Sequence, residues 1–455
     1  MKLVVTGATG FIGKRLIWRL LRDGHDVVVL SRDARSAVAK IGYPCESHSW
    51  DPASEAAPSA AFEGADAVIH LAGEPIAAGR WTKARKKRIE ESRVVGTRNL
   101  VEGIRRAARK PAALVSTSAI GIYGDRGDEL LDEASAHGAD FLAKVCIGWE
   151  KEALAAPKEV RTALVRVGIV LDHDEGALPR MVLPVESGVG GPLGSGRQWM
   201  SWIHVDDLVS ILIEAATRKD LSGPVNAVAP EPVTNANFVR ALASHLGMPA
   251  VLRAPAFALK LALVEVASVV LSGQRVRPAA LEKSGFRFAY PTLQAALGQI
   301  FPPHRPRGAH RMVSNQWVPR PVGEVFPFFS DEKNLEAITP PWLNFNVKGK
   351  NTPEIRKGTL IDYRLKLKGL PMGWRTLIAE WEPDRMFRDV QLKGPYSVWD
   401  HTHTFEPFRG GTLIRDEVWY RLPFAPFGNV ALPMVRKDVS AIFGFREKKI
   451  REVFP

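Results

Sequence analysis

Residues 1–13 read MKLVVTGATGFIG. Lys2–Thr6 is an apolar, β-branched run, and Gly7, Gly10 and Gly13 follow it at three-residue spacing. From Ile12 to Leu21 the apolar residues carry helical periodicity. A strand, a glycine turn and a helix start stand here in the order that holds a dinucleotide. At such a turn backbone N–H groups approach a pyrophosphate, and the helix N-terminus adds partial positive charge. The spacing is G-x-x-G-x-x-G, a variant of the simpler G-x-G-x-x-G fingerprint. It predicts that a dinucleotide binds. It does not by itself predict chemistry.

Moving outward, strands are expected at Asp26–Ser31, Ala67–Leu71, Ala113–Thr117 and Thr162–Val167, with helical patterns between them. This alternation predicts an α/β fold, a Rossmann-like doubly wound parallel sheet. The end of the second strand, Val29-Leu30-Ser31-Arg32-Asp33, bears on the cofactor. A carboxylate there holds the ribose 2′-OH of NAD, whereas arginine suits a 2′-phosphate. Ser31 removes the carboxylate and Arg32 offers a guanidinium, so NADP is favoured over NAD. Arg32 also reads as a plain loop cation, and Asp33 as a helix cap.

The 455 residues are too many for one ordinary core, so two or three domains are expected. Hydrophobic content of 45% and charged content of 24% are those of a soluble globular protein. Two cysteines, Cys45 and Cys146, give no disulfide framework, which suits a reducing cytoplasm. No signal-peptide pattern precedes the first strand. The apolar stretch Ala256–Leu271 is broken by Lys260 and Glu265, and predicts a packed or interfacial helix rather than a membrane span. The net charge of +13 gathers in Lys83–Lys110. That segment lacks interleaved aromatics, so it predicts solvated basic helix faces and no nucleic-acid partner.

Pro302–Gly308 (PPHRPRG) has linker composition, and the texture changes after it. Thr359–Lys368, Trp374–Trp381, Met386–Leu392, Val398–Phe405 and Thr412–Leu422 each fit a half-buried antiparallel strand. Gly410-Gly411 signals a hairpin turn. Val322–Phe329 and Asp331–Ile338 are helix-like. The closing segment Val430–Val453 puts Val435, Val439, Ile442, Phe443, Ile450 and Val453 roughly along one helical face. The pattern is α+β, with an antiparallel sheet and a long final helix. The expected domains are 1–300 (small lobe at about 235–300), a linker at 301–309 and 310–455.

Several motifs resemble the extended short-chain dehydrogenase/reductase superfamily: TGATGFIG, His70-Leu71-Ala72-Gly73, Val95–Leu100 and Ile203–Asp207. The runs RWTKARKKRIEESRVVGT, DFLAKVCIGWE, GGPLGSGRQWMSWIHVDD and SGQRVRPAALEKSGFRFAYP are similar to its atypical "epimerase family", cell-division-inhibitor-like branch. The resemblance spans about residues 1–300. It implies bound NADP lined by Gly7, Thr9, Gly10, Phe11, Ile12, Gly13, Ser31, Arg32, Leu71, Ala72, Gly73, Arg93 and Val170. Asp51 reads either as an adenine neighbour or as a turn residue.

Enzymes of that superfamily use a serine or threonine with Y-x-x-x-K, where the lysine lowers the phenol pKa for proton transfer. Ser118 occupies the serine region. The helix Leu142–Glu150 fits the motif only with Leu142 for tyrosine and Cys146 for lysine. Leucine has no proton to give, and a buried thiol is a poor cation. Tyr123 and Lys144 are the nearby alternatives, and each also reads as structural. Arg197, Gln198 and Trp202, in the Gly188–Trp202 loop, are expected to bind substrate as a lid. His204 reads as a further polar candidate or as part of a helix start. No metal is expected, since His401 and His403 form only a pair on one strand face.

The chain from about residue 310 resembles the START-like, SRPBCC or polyketide-cyclase superfamily with its helix-grip fold. Ser314–Val318 would be the first strand, Pro321–Phe326 the start of the first helix and Trp381-Glu382-Pro383 an inter-strand turn. The resemblance implies an apolar cavity, with Trp374, Trp399, His403 and Trp419 either lining it or filling the core. Two functions are expected to compete. One is an NAD(P)-binding oxidoreductase or epimerase-like protein with a domain for a small, lipid-like ligand. The other is a non-catalytic NADP(H)-binding sensor or scaffold.

Overall fold

The computed structural model describes residues 1–455 apart from 77–78, 251, 258–260, 262–270, 303–305, 307, 368, 425–427 and 429–430. The chain separates into two compact units, Met1–Pro302 and Pro303–Pro455.

The first unit is built on strands β1 (Lys2–Thr6), β2 (Asp26–Ser31), β3 (Glu46–Ser49), β4 (Ala67–His70), β5 (Ala113–Ala119), β6 (Arg161–Val167) and β7 (Gly223–Ala227). They form one parallel sheet in the order β7-β6-β5-β4-β1-β2-β3. Helices cover both faces, so the central strands are apolar on both sides; Leu3, Val4, Val5, Val68 and Ile69 are fully buried. Burying one such side chain contributes about 1.5–3 kcal/mol. Helix α1 (Phe11–Arg22) packs with the later Val205–Thr217 helix, and α2 (Ala34–Ile41) against β2 and β3. On the other side α3 (Lys83–Arg106) packs with α4 (Phe141–Leu154). Asp33 caps α2 by accepting from the Ser36 N–H at 3.0 Å.

Two strands escape the sequence pattern. β3 (ESHS) and β7 (GPVNA) are the sheet edges, where one pairing partner suffices and little apolar alternation is required. A separate apolar cluster joins Trp202, Phe238, Leu242, Leu178, Leu293 and Leu297. It draws on helices α5 (Leu178–Glu186), α7 (Asn235–Leu246) and α8 (Leu293–Ile300), while α6 (Val205–Thr217) contributes none of its residues. Most of the expected Ala256–Leu271 helix, and part of the expected linker, lie outside the described residues.

The second unit is one antiparallel sheet of β8 (His310–Val318), β9 (Asn346–Lys350), β10 (Leu360–Leu367), β11 (Leu370–Glu382), β12 (Met386–Lys393), β13 (Val398–Phe408) and β14 (Gly411–Arg421). Its order is β8-β14-β13-β12-β11-β10-β9. Helices α9 (Val322–Phe329) and α10 (Glu332–Ala337) precede β9, and α11 (Leu432–Val453) closes the unit. Its core joins Val325, Phe326, Phe387, Phe405, Ile414 and Ile450.

The β13–β14 hairpin turns one residue earlier than expected. Arg409 and Gly410 hold φ of +50° and +75°, the primed turn that a two-residue hairpin requires. Gly411 is already in the strand, where a Cβ would stand 2.2 Å from the Val318 carbonyl oxygen. On α11, Val439, Phe443 and Ile450 are buried as expected, but Val453, in the last turn, is exposed. Among the described residues no helix is long and apolar enough to cross a membrane.

Candidate functional site

The glycine turn at the end of β1 is shaped by close backbone approach. Gly7 has φ +69°, and a Cβ on it would lie 2.8 Å from the Leu71 carbonyl carbon. A Cβ on Gly13 would lie 2.3 Å from Gly7 O, so α1 can seat against the turn only with glycine there. Gly10 N–H donates to Gly7 O at 3.0 Å. At Gly10 a Cβ would meet only Gly7 O, at 3.3 Å. No acidic residue occupies the first turn of α1, which leaves its partial positive charge for an anion.

Thr6 and His70 fasten the turn to β4. Thr6 Oγ1 accepts from the Leu71 and Ala72 N–H groups at 3.2 Å each. It also lies 2.7 Å from His70 Nδ1, while His70 Nε2 lies 3.0 Å from Thr97 Oγ1. Burial first, and Arg93 second, push the His70 pKa down to about 3. Gly73 leaves room for the Arg93 guanidinium, 3.2 Å from where a Cβ would sit. Arg93 Nη1 donates to Glu74 O and Ile89 O, and its guanidinium lies 5.1 Å from the Trp149 ring centre.

A cavity of about 290 Å³ joins these pieces. It runs from Gly7, Gly10, Phe11, Ile12, Gly13 and Leu71 past Arg93 to Ser118, Leu142 and Cys146. The Ser118 hydroxyl is buried, with the Cys146 thiol as its side-chain neighbour. Leu142 and Cys146, one helical turn apart on α4, present the face that the superfamily gives to tyrosine and lysine. Burial pushes the Cys146 thiol up to about 11, with Glu150 adding to it. The Asp140 side chain caps α4 by accepting from the Ala143 N–H at 2.8 Å.

The other two expected catalytic residues are elsewhere. Tyr123 is fully buried and does not line the cavity. Its hydroxyl donates to Asn226 Oδ1 at 2.7 Å and accepts from Arg166 at 2.9 Å. Arg166 in turn forms two 2.9 Å bonds to Glu150, so Tyr123 belongs to a buried polar network. Lys144 is exposed, on the side of α4 away from the cavity-lining residues.

The expected lid residues also fall outside the cavity. Trp202 is core, its Nε1 donating to Glu231 O at 3.0 Å. Gln198 Nε2 donates to Leu193 O, which folds the loop on itself, and Arg197 is exposed. His204 caps α6, its Nδ1 accepting from the Asp206 N–H.

Of the expected cofactor residues, Ser31 ends β2 and Arg32 is exposed beside it, with no ion pair or hydrogen bond among the described residues. Thr9 sits in the turn itself, while Ala72 and Gly73 follow β4. Val170 lies on a short strand paired with Ile203; Val167 lines the cavity in its place. Asp51 accepts from the Ala53 N–H at 3.1 Å, as a turn residue does. Thr117, Val145 and Trp149 also line the cavity, and none is among the expected cofactor or catalytic residues.

The second unit holds its own cavity, of about 180 Å³. Trp374, Trp399, His401 and His403 line it; Trp419 does not, and lies instead under Arg311 at 5.6 Å. The two histidines are not merely a pair, because Asp389 and Asp416 meet them from the neighbouring strands.

The first unit is thus a dinucleotide-binding Rossmann-type domain whose glycine turn opens into a partly apolar cavity. The model of the NAD dependent epimerase/dehydratase family matches residues 3–228, and a domain of unknown function, DUF1731, matches 254–300. The chain is 44% identical over 302 residues to the chloroplastic epimerase family protein SDR39U1 homolog of Arabidopsis thaliana. That match covers 66% of this chain and 86% of the relative. It is 39% identical to epimerase family protein YfhF of Bacillus subtilis, covering 66% of this chain and 98% of that protein. The crystal structure of human epimerase family protein SDR39U1 (isoform2) with NADPH is similar at a TM-score of 0.60 and 33% identity, over 66% of this chain and 99% of that one. Over this region the chain belongs to the NAD dependent epimerase/dehydratase family, in its SDR39U1-like part.

Proposed function

We propose that the first unit binds NADP(H), in preference to NAD(H), and acts as an oxidoreductase or epimerase on a small molecule. The observation that carries this reading is the one cavity that joins the glycine turn to the buried Ser118 hydroxyl. NADPH in the human relative's crystal structure supports it. When bound, the nicotinamide supplies a hydride donor or acceptor.

The chain's own residues have separable roles in this reading. The Gly7–Gly13 turn and the start of α1 offer N–H groups to the pyrophosphate. Arg32 offers its free guanidinium to the 2′-phosphate. Ser118 donates a hydrogen bond to a substrate oxygen, while Leu142, Val145 and Trp149 form the apolar wall beside it. Arg93 and Cys146 are the ionisable side chains of the cavity lining. With its pKa held up at about 11, the thiol stays protonated at neutral pH and is no base. A proton is therefore exchanged with water or the substrate itself.

Across a panel of carbonyl compounds, at least one should oxidise bound NADPH. Ser118→Ala should then lower kcat/KM about 100-fold, as for loss of one oxyanion donor, with NADPH affinity unchanged. Binding of NADPH with no turnover on any member would favour the second reading, a sensor or scaffold. Leu142 and Cys146, in place of the tyrosine and lysine, are the observations behind that alternative.

We read the second unit as a START-like, SRPBCC-type helix-grip domain that holds an apolar, lipid-like ligand. The sheet order, the closing α11 and the aromatic cavity support this. The functional domains would then be 1–300 and 310–455, joined by a linker at 301–309. Two free cysteines suit a reducing compartment such as the cytoplasm.

A further inference from the structure

The inner face of the second unit's sheet gathers an unusual set of side chains. Asp389 on β12 is directly opposite His401 on β13, and His403, two residues on, is directly opposite Asp416 on β14. Two-residue alternation keeps His401 and His403 on one face, with ring centres 3.8 Å apart. Both imidazoles and Asp416 are buried; the Asp389 side chain keeps 17% exposure, toward the cavity.

Each imidazole has one nitrogen on either side. His401 Nε2 lies 3.1 Å from Asp416 Oδ1 in a hydrogen bond. His403 Nδ1 lies 2.6 Å from the same oxygen. On the opposite side, His401 Nδ1 is 3.5 Å and His403 Nε2 is 3.4 Å from Asp389 Oδ2. An ionised carboxylate only accepts hydrogen bonds, so Asp416 draws the protons to the nitrogens that face it. In neutral imidazoles that leaves two lone pairs converging with a carboxylate oxygen on the cavity side.

We propose that Asp389, His401 and His403 bind one divalent first-row transition metal ion, with an open coordination position facing the cavity. The three ligand atoms lie within 4.8 Å of one another. Metal–ligand bonds of about 2.0–2.2 Å at tetrahedral angles place ligand atoms about 3.4 Å apart. The two spacings to Asp389 are already at that value. Asp416 is then the outer carboxylate that orients both imidazoles, an arrangement typical of metal-bound histidine.

Charge argues the same way. Two carboxylates face the imidazole pair, and Arg446 offers them only one positive charge. One divalent ion between Asp389 and the histidines supplies the rest. Arg446, from α11, stands 3.8 Å from Asp416 and also lines the cavity. It leaves the set with one net positive charge, which suits an anionic group at the open position. The nearby Glu332 is already paired with Lys350 at 2.7 Å.

The test uses the full chain without an affinity tag, stripped by chelator and titrated with Co2+. The expected result is one Co2+ per chain with visible d–d bands, displaced by Zn2+. His401→Gln, His403→Gln and Asp389→Asn should each abolish the bands. Asp416→Asn should weaken affinity about 10- to 100-fold at unchanged stoichiometry. No stoichiometric Co2+ uptake by the wild-type chain, or full uptake by the histidine variants, would overturn the proposal. If the variants do not fold, X-ray absorption on the wild-type Zn2+ complex decides. Two imidazoles plus oxygen ligands support the site, and any sulfur ligand overturns it. Nicotinamide-nucleotide binding plays no part in these readouts, so the outcome is independent of the first unit.

Discussion

Gly13 has no room for a methyl group. Its Cβ would stand 2.3 Å from the Gly7 carbonyl oxygen, and that oxygen belongs to backbone that cannot rotate away. Gly13→Ala should therefore destabilise the first unit by about 1–3 kcal/mol, as overpacking does. It should also remove NADPH binding, read by calorimetric titration of folded protein. Arg32 is the opposite kind of residue, exposed and without an ion pair or hydrogen bond among the described residues. A charge-assisted bond to a 2′-phosphate contributes about 1.5–3 kcal/mol. Arg32→Ala should thus weaken NADPH about 10- to 100-fold and leave NADH unchanged; equal weakening of both would contradict the assignment. His70 gives a pH signature. Its folded pKa, about 3, lies below the unfolded value, so the unfolded chain takes up the proton first. Its contribution is complete above about pH 6.5 and falls as pH drops toward 3, by up to about 1.4 kcal/mol per unit. Denaturant midpoints of the first unit should show that slope, and His70→Asn should flatten it.

At the scale of elements, α4 carries two unrelated tasks on two parts of its surface. Leu142 and Cys146 face the cavity, while Glu150 turns to the buried Arg166. Breaking such a pair from one side leaves an uncompensated buried charge, at a cost of about 3–5 kcal/mol. Glu150→Ala should lose stability on that scale in denaturant unfolding. A change below about 1 kcal/mol would mean that the pair is solvated. The same helix shows where sequence was readable. Leu142 and Cys146 could be placed by motif spacing, because one turn of helix fixes their common face. Tyr123 could not be assigned, because its partners Asn226 and Arg166 come from two distant strands. Likewise β1 and β2 keep the bounds that their apolar runs predict, while the polar edge strands β3, β7 and β9 leave no such trace. His401 and His403 were visible as a pair. Asp389 and Asp416 joined them only through sheet register, which no local pattern encodes.

At the scale of the whole molecule, the described residues give each unit apolar clusters of its own. A ligand that binds only the folded form stabilises by about 2.7 kcal/mol at 100 times its dissociation constant. In scanning calorimetry of the full chain, NADPH should therefore raise the transition of the first unit and leave that of the second unmoved. NADPH is expected to lie in the cavity that runs from the glycine turn to Ser118. A crystal structure of the full chain soaked with NADPH tests it most directly. The account predicts the pyrophosphate on the Gly7–Gly13 turn, the 2′-phosphate at Arg32 and the nicotinamide C4 region beside Ser118, Leu142 and Cys146. A nicotinamide bound away from Ser118, or a cavity without the dinucleotide at saturating NADPH, would contradict it.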